Sequence, residues 1–373
     1  MRSGLWLVLD LDANKRGSME QQLIALARGL RDRRIPAVMY FAARPAAFPG
    51  DDLRKLAVDV RDLPFHRPAL AARKLLADGL EERPGLVHLH FVRPYSPLVA
   101  AAAASGAKII VHDHVSLVPR SGLRQAFKLA RGRLLNPLVD LRLAVSEHAA
   151  STVRDAHGVP ADRVRVVENA IDLSRFEQGD GSRLRDELRV GSSKLVVSVA
   201  RLEDEKGGGA LLRAFARVGG DAHLALVGKG SQEQAWKRLA SELGIGFRVH
   251  FLGLRNDVEH VLAASDLVVV PSQWEEAFGL AVIEAMAAGK PVVVTRSGAM
   301  PAIVGDAGIV VSKHDLDAMA SAIREVLADD ASAAELAAKG RARVQQRYGM
   351  ERYVREMLAI YSELLPQRWP RAA

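Results

Sequence analysis

Cysteine is absent from the chain, which excludes disulfides and thiolate metal centres. Aromatic residues are sparse, at 5%, and no basic stretch is interleaved with them, which argues against a nucleic-acid platform. No uninterrupted apolar run is long enough to span a bilayer; the alanine-rich stretch from Leu98 to Ala107 is short and broken by Ser105 and Gly106. The apolar start, Gly4-Leu5-Trp6-Leu7-Val8-Leu9-Asp10, lacks a small-residue cleavage site and reads as a buried first strand rather than a secretory signal. Neither low-complexity tracts nor solenoid-period repeats are present. The expectation is a cytoplasmic protein.

What is present fits two cores: 373 residues, 49% of them hydrophobic. The net charge of +8 is uneven. Residues 1–178 hold 27 Lys and Arg against 19 Asp and Glu, and the remainder holds 25 of each. The first half is therefore suited to something anionic. Short runs of Val, Leu and Ile alternate with helical patterns. The candidate strands are 5–10, 37–41, 86–90, 108–112, 141–146 and 164–167, then 195–200, 222–227, 248–252, 267–271, 291–295 and 308–311. Continuous apolar strands alternating with helices predict doubly wound parallel sheets. A polar stretch, Asp172–Ser193, reads as a connector. It predicts domains at residues 1–178 and 179–350, with a helix in 351–373 packing back on the first.

The densest chemical signal runs from Pro271 to Thr295: strand, loop, helix, Gly stop and strand. Glu276 falls just before the helix. Glu284 lies inside it among Ala, Val, Ile and Met, where a carboxylate needs a partner such as ribose hydroxyls. The helix N-terminus at Phe278, Gly279 and Leu280 offers N–H groups to a phosphate. Upstream, Arg201-Leu202-Glu203-Asp204-Glu205-Lys206-Gly207 follows a strand, so Arg201 and Lys206 can reach one diphosphate, the arginine bidentately and the lysine as a point charge.

These segments resemble the retaining GT-B glycosyltransferases of family 4, also called glycosyl transferases group 1. Glu276 and Glu284 match that family's Glu-x7-Glu signature. The resemblance implies an α/β GT-B fold, two Rossmann-like doubly wound parallel-sheet domains facing across a cleft. It also implies transfer of a hexosyl group from a nucleotide diphosphate sugar, with retention, to a hydroxyl acceptor: a glycan, glycolipid or lipid-linked precursor, as in polysaccharide biosynthesis. Glu276 would contact the sugar, Glu284 the ribose, and Arg201 and Lys206 the leaving diphosphate. Gly228, in Val227-Gly228-Lys229-Gly230, and Gly17, in Arg16-Gly17-Ser18-Met19-Glu20, match Gly-rich turns that face the donor. His112 matches a strand-end His directed at the sugar or acceptor. Neither a cofactor nor a metal is required by this scheme. Three positions depart from the pattern: Ser18 and Ala170 stand where Gly is usual, and Ala302 where an acid is. They motivate one alternative, a silent partner subunit; a nucleotide-sugar 2-epimerase of the same architecture is another.

Two further readings complete the expectation. His88 and His90 are expected on opposite strand faces, and so as packing residues rather than metal ligands. Arg120, Arg124, Lys128 and Arg131 recur at helical spacing beside the apolar Leu123, Phe127, Ala130 and Leu134. Such a helix fits an anionic membrane surface, which would make the protein peripheral on its inner face, or a basic face over the core.

Overall fold

A computed structural model of the chain describes residues 4–13, 16–45, 47–92, 96–116 and 122–366, apart from the side chains at 124, 125, 128, 131 and 133. It divides into two compact units, Met1–Ala170 with Met350–Ala373, and Ile171–Gly349.

The first unit is built on a parallel sheet of β1 (Leu5–Leu9), β2 (Ala37–Phe41), β3 (Asp59–Asp62), β4 (Leu86–His90), β5 (Lys108–Asp113), β6 (Leu141–Ala144) and β7 (Val164–Val166), in the order β3-β2-β1-β4-β5-β6-β7. Strand β1 shows why its residues are apolar throughout. Leu5, Leu7 and Leu9 face one core, with the helix Ser18–Asp32 and the C-terminal helix Met350–Leu364. Trp6 and Val8 face the other, with the helices Pro68–Glu82 and Pro97–Ala104. At Gly29 an added Cβ would lie 2.8 Å from Val354 Cγ1 and 2.9 Å from Leu358 Cδ1, so the glycine lets the C-terminal helix close on Ser18–Asp32.

The second unit carries β8 (Leu195–Val199), β9 (His223–Val227), β10 (Val249–Gly253), β11 (Leu267–Val270), β12 (Val292–Thr295) and β13 (Ile309–Val311), all parallel, in the order β10-β9-β8-β11-β12-β13. In each sheet the order reverses beside the first strand, between β1 and β4 and between β8 and β11. The carboxyl ends of strands at such a reversal are where open α/β sheets bind ligands.

The boundary falls at Ala170 rather than near 178. The polar connector is instead two short helices of the second unit, Leu173–Glu177 and Ser182–Leu188. Arg175 pairs with Glu259 at 2.6 Å, Arg185 donates to the Ala264 carbonyl at 2.7 Å, and Phe176 and Leu184 are each buried, so one apolar side chain and polar contacts dock each helix. Strand β3 had no counterpart in the sequence pattern: Asp59-Val60-Arg61-Asp62 is an edge strand with one fully buried side chain, Val60. No helix among the described residues is long and apolar enough to cross a membrane.

Candidate functional site

In the second unit, the turns after β8 and β11 are sewn together before any ligand is considered. The Glu205 carbonyl accepts from the backbone N–H groups of Gln273 (2.8 Å) and Trp274 (3.1 Å). Gly207 has φ +74°, and an added Cβ there would stand 2.0 Å from the Pro271 carbonyl oxygen, so the two turns meet only across a glycine. This contact delivers Lys206 to Glu276: Nζ lies 2.6 Å from Oε1, with both side chains largely buried (21% and 16% exposed). The same carboxylate oxygen accepts from Ser272 Oγ at 2.7 Å.

The backbone of Glu276 is clasped from β12. Its carbonyl accepts from Ala299 N at 2.9 Å and its N–H donates to Ser297 Oγ at 3.3 Å. Gly298 (φ +52°) passes so close that a Cβ would lie 2.1 Å from that carbonyl oxygen. The neighbouring Glu275 is drawn away by Lys313 and by the Gly298 N–H. Sequence reasoning missed Ser272, Ser297 and Gly298 as supports of Glu276, and Lys313 as the partner of Glu275. Their role depends on which turns meet, and spacing along the chain does not record that.

Arg201 follows β8 on the same turn, but its exposed guanidinium lies 2.9 Å from Glu205 Oε1, not on Glu276. An exposed pair of this kind is weak, on the order of 0.2–1 kcal/mol, and a diphosphate can displace it. Beside it, Glu203 accepts from the N–H and hydroxyl of Ser231, which hold its carboxyl below the usual range. Gly228 closes β9 at φ +141°, where a Cβ would stand 1.9 Å from the Ala200 carbonyl oxygen; its own N–H donates to the Gly253 carbonyl at 2.8 Å.

The helix Leu280–Ala287 starts at Gly279 (φ 130°) with no side chain capping it, so N–H groups of its first turn stay available to an anion. Val282, Ile283, Ala285, Met286 and Ala287 are buried, whereas Leu280, Ala281, Glu284 and Ala288 form one half-buried stripe. Glu284 therefore lies on the stripe that begins at the helix N-terminus. Phe278 is buried and edge-on to Tyr348, with ring centroids 5.6 Å apart. It anchors the turn.

In the first unit, Gly17 precedes the helix Ser18–Asp32 with φ −92° and ψ 165°, a backbone any residue can adopt. His112 sits near the end of β5, paired across the sheet with His90 of β4, and is 1% exposed. The expectation for His88 and His90 is corrected. Residues two apart on a strand share a face, and their ring centroids are 3.9 Å apart. His112 stacks at 5.4 Å from His88, and His114 at 4.3 Å from His112. Burial, followed by the neighbouring imidazoles, pushes His88, His90 and His112 well below the usual histidine range, and burial takes His114 down to about 3. The strand end is pinned by Arg142, which grips Asp113 with two hydrogen bonds of 3.0 and 2.8 Å, both side chains buried.

On the helix Leu123–Leu135 the expected apolar stripe is turned outward: Leu123 is 91%, Phe127 63% and Leu134 75% exposed. Arg120, and the side chains of Arg124, Lys128 and Arg131, lie outside the described residues.

Comparison with known proteins also splits the chain in two, with the break between residues 175 and 182. The profile of glycosyltransferase family 4 matches residues 19–175, and that of glycosyl transferases group 1 matches residues 182–343. The chain is 28% identical to N-acetyl-alpha-D-glucosaminyl L-malate synthase of Bacillus anthracis over 308 residues, 79% of this chain and 78% of that one. It is 32% identical to D-inositol 3-phosphate glycosyltransferase of Mycolicibacterium smegmatis over 347 residues, 85% of this chain and 77% of that one. The crystal structure of Anabaena Alr3699/HepE in complex with UDP superposes with a TM-score of 0.82 at 25% identity, covering 96% of this chain and 100% of that one. The same protein in complex with UDP-glucose gives a TM-score of 0.80, at 25% identity and coverage of 96% and 99%.

Proposed function

Since the chain belongs to glycosyltransferase family 4 and has its two-domain GT-B fold, we propose that it moves a hexosyl group, with retention, from a uridine diphosphate sugar to a hydroxyl acceptor that carries negative charge. One observation carries this reading: Lys206, Glu276 and Ser272 meet at the carboxyl ends of β8 and β11, where the strand order reverses. The UDP and UDP-glucose complexes of the Anabaena relative support the donor class.

Arg201 and Lys206 take the diphosphate, whose charge grows as the sugar leaves, and the free N–H groups at Leu280 add to them. Glu284 accepts from the ribose hydroxyls. Glu276 orients the sugar once Lys206 turns to phosphate, and Ser272 keeps its carboxylate in place. The bond from the anomeric carbon to the phosphate oxygen breaks, and the acceptor oxygen bonds to that carbon on the same face. The acceptor proton passes to the departing phosphate oxygen. His112 serves the sugar or acceptor, and Gly17 and Gly228 line the donor. The scheme draws its positive charge from Arg201 and Lys206 and requires no metal.

The basic excess of residues 1–178 supports an anionic acceptor, such as a phosphorylated glycan or lipid-linked precursor. The outward apolar stripe Leu123, Phe127 and Leu134 supports docking on an anionic membrane.

Product analysis with labelled UDP-, GDP- and ADP-hexoses tests the reading. UDP-sugar is expected to yield a glycosylated acceptor and UDP. Free epimerised donor would identify an epimerase, and no turnover with any donor a silent subunit. Lys206→Ala is expected to lower kcat by about 10²–10³ with an unchanged circular dichroism spectrum. Wild-type turnover in that variant overturns the diphosphate role.

A further inference from the structure

The histidines on β4 and β5 do more than the transfer scheme asks of them. We propose that His88, His90 and His112 form a binding site for a divalent transition metal of the zinc class. His88 and His90 occupy alternate positions of one strand, and His112 is the cross-strand neighbour of His90, so all three imidazoles leave the sheet on the same face. Their potential ligand atoms lie within 4.8 Å of one another, and all three residues are buried. Around a zinc ion with bonds of about 2.0–2.1 Å, tetrahedral ligand atoms stand about 3.4 Å apart, so the rings need to close by at most about 1.4 Å.

The hydrogen bonding points the same way. Nε2 of His88, Nε2 of His90 and both ring nitrogens of His112 have no partner among the described residues. An orphaned nitrogen in a buried site is costly, and one ion satisfies three of these together. The other nitrogens of His88 and His90 are engaged: Nδ1 of His88 is 2.7 Å from Tyr361 Oη, and Nδ1 of His90 is 3.0 Å from Nε2 of His114. When these Nδ1–H groups donate to Tyr361 and His114, the lone pairs sit on Nε2, the nitrogens left without a partner. This is the outer-shell arrangement that fixes metal-ligating histidines. A set of nitrogen donors without thiolate selects zinc, cobalt, nickel or copper over calcium and magnesium.

Occupancy has a consequence for His112, which rests on the proposed function. A metal on one ring nitrogen leaves the other as an N–H donor only, so His112 no longer accepts a hydrogen bond from a sugar or acceptor hydroxyl. Metal loading then lowers transfer.

The test titrates chelator-treated, full-length protein with Zn²⁺ by calorimetry and with Co²⁺ by visible absorption. One equivalent of Zn²⁺ and a tetrahedral Co²⁺ spectrum are expected. His90→Ala is expected to bind at least 100-fold more weakly. Tyr361→Phe, which removes a hydroxyl and no ligand, is expected to lose about 10–100-fold. It decides the matter if His90→Ala fails to fold. Lys206→Ala, which disables the proposed donor site, is expected to bind zinc as wild type does, so the metal result stands apart from the fate of the transferase reading. The proposal is overturned if wild type takes up no zinc at about 0.1 mM, or if Tyr361→Phe and a folded His90→Ala bind as tightly as wild type.

Discussion

At the scale of single residues, Glu276 Oε1 receives two donors, Lys206 Nζ and Ser272 Oγ. In the proposed scheme the lysine has a second task when diphosphate arrives, and the serine does not. Ser272 would then be the support that remains while Glu276 works on the sugar. A hydrogen bond to a charged group contributes about 1.5–3 kcal/mol. Ser272→Ala is expected to lower kcat/KM roughly tenfold or more with little change in melting temperature, and wild-type turnover would show that the hydroxyl merely fills space. Much of this site was legible in the chain: Arg201, Lys206, Glu276 and Glu284 stand out because charges at strand ends, or inside an apolar helix, need a reason. Ser272 was not legible, because a serine after a strand is ordinary until a second turn brings Lys206 beside it. The pairing of His88 with His90 was legible from the two-residue strand period, and reading that period as placing them on opposite faces hid it.

At the scale of elements, continuous Val, Leu and Ile runs mark strands covered on both sides. That is why β1, β4 and the central strands of both sheets could be read from the chain, while the charged edge strand β3 could not. The helix Leu123–Leu135 is the opposite case. Its periodicity was visible, but not whether its apolar stripe faced a core or solvent. Leu123, Phe127 and Leu134 are all exposed, so the stripe faces solvent. Inserting one such side chain into an apolar phase is favourable by about 1.5–3 kcal/mol. Flotation with vesicles of anionic lipid is expected to carry the wild-type protein, and Leu123→Ser combined with Phe127→Ser to reduce binding at least tenfold. Charge supplies the remainder, so salt is expected to weaken both. Equal binding by the double variant, or none to anionic vesicles by the wild type, removes the membrane from the account.

At the scale of the whole molecule, the chain passes from the first unit to the second after Ala170 and returns after Gly349. The polar composition of Asp172–Ser193 suggested a linker because short, charge-rich surface helices with one buried apolar side chain each look like one in sequence. The apolar face of Met350–Leu364 was the clearer sign. Tyr353, Met357, Leu358, Ile360 and Tyr361 are all buried, and four of them are at most 3% exposed. At about 1.5–3 kcal/mol each, these five side chains contribute on the order of 10 kcal/mol, as much as the net stability of a typical domain, about 5–15 kcal/mol. A chain truncated after Gly349 therefore leaves the face of Ser18–Asp32 bare and removes the Tyr361 partner of His88. The second unit loses none of the residues assigned to it. Scanning calorimetry of the truncated protein is expected to show the second unit's transition alone, with the heat of the first unit missing. Retention of the full unfolding enthalpy would mean that residues 350–373 decorate the first unit rather than complete it.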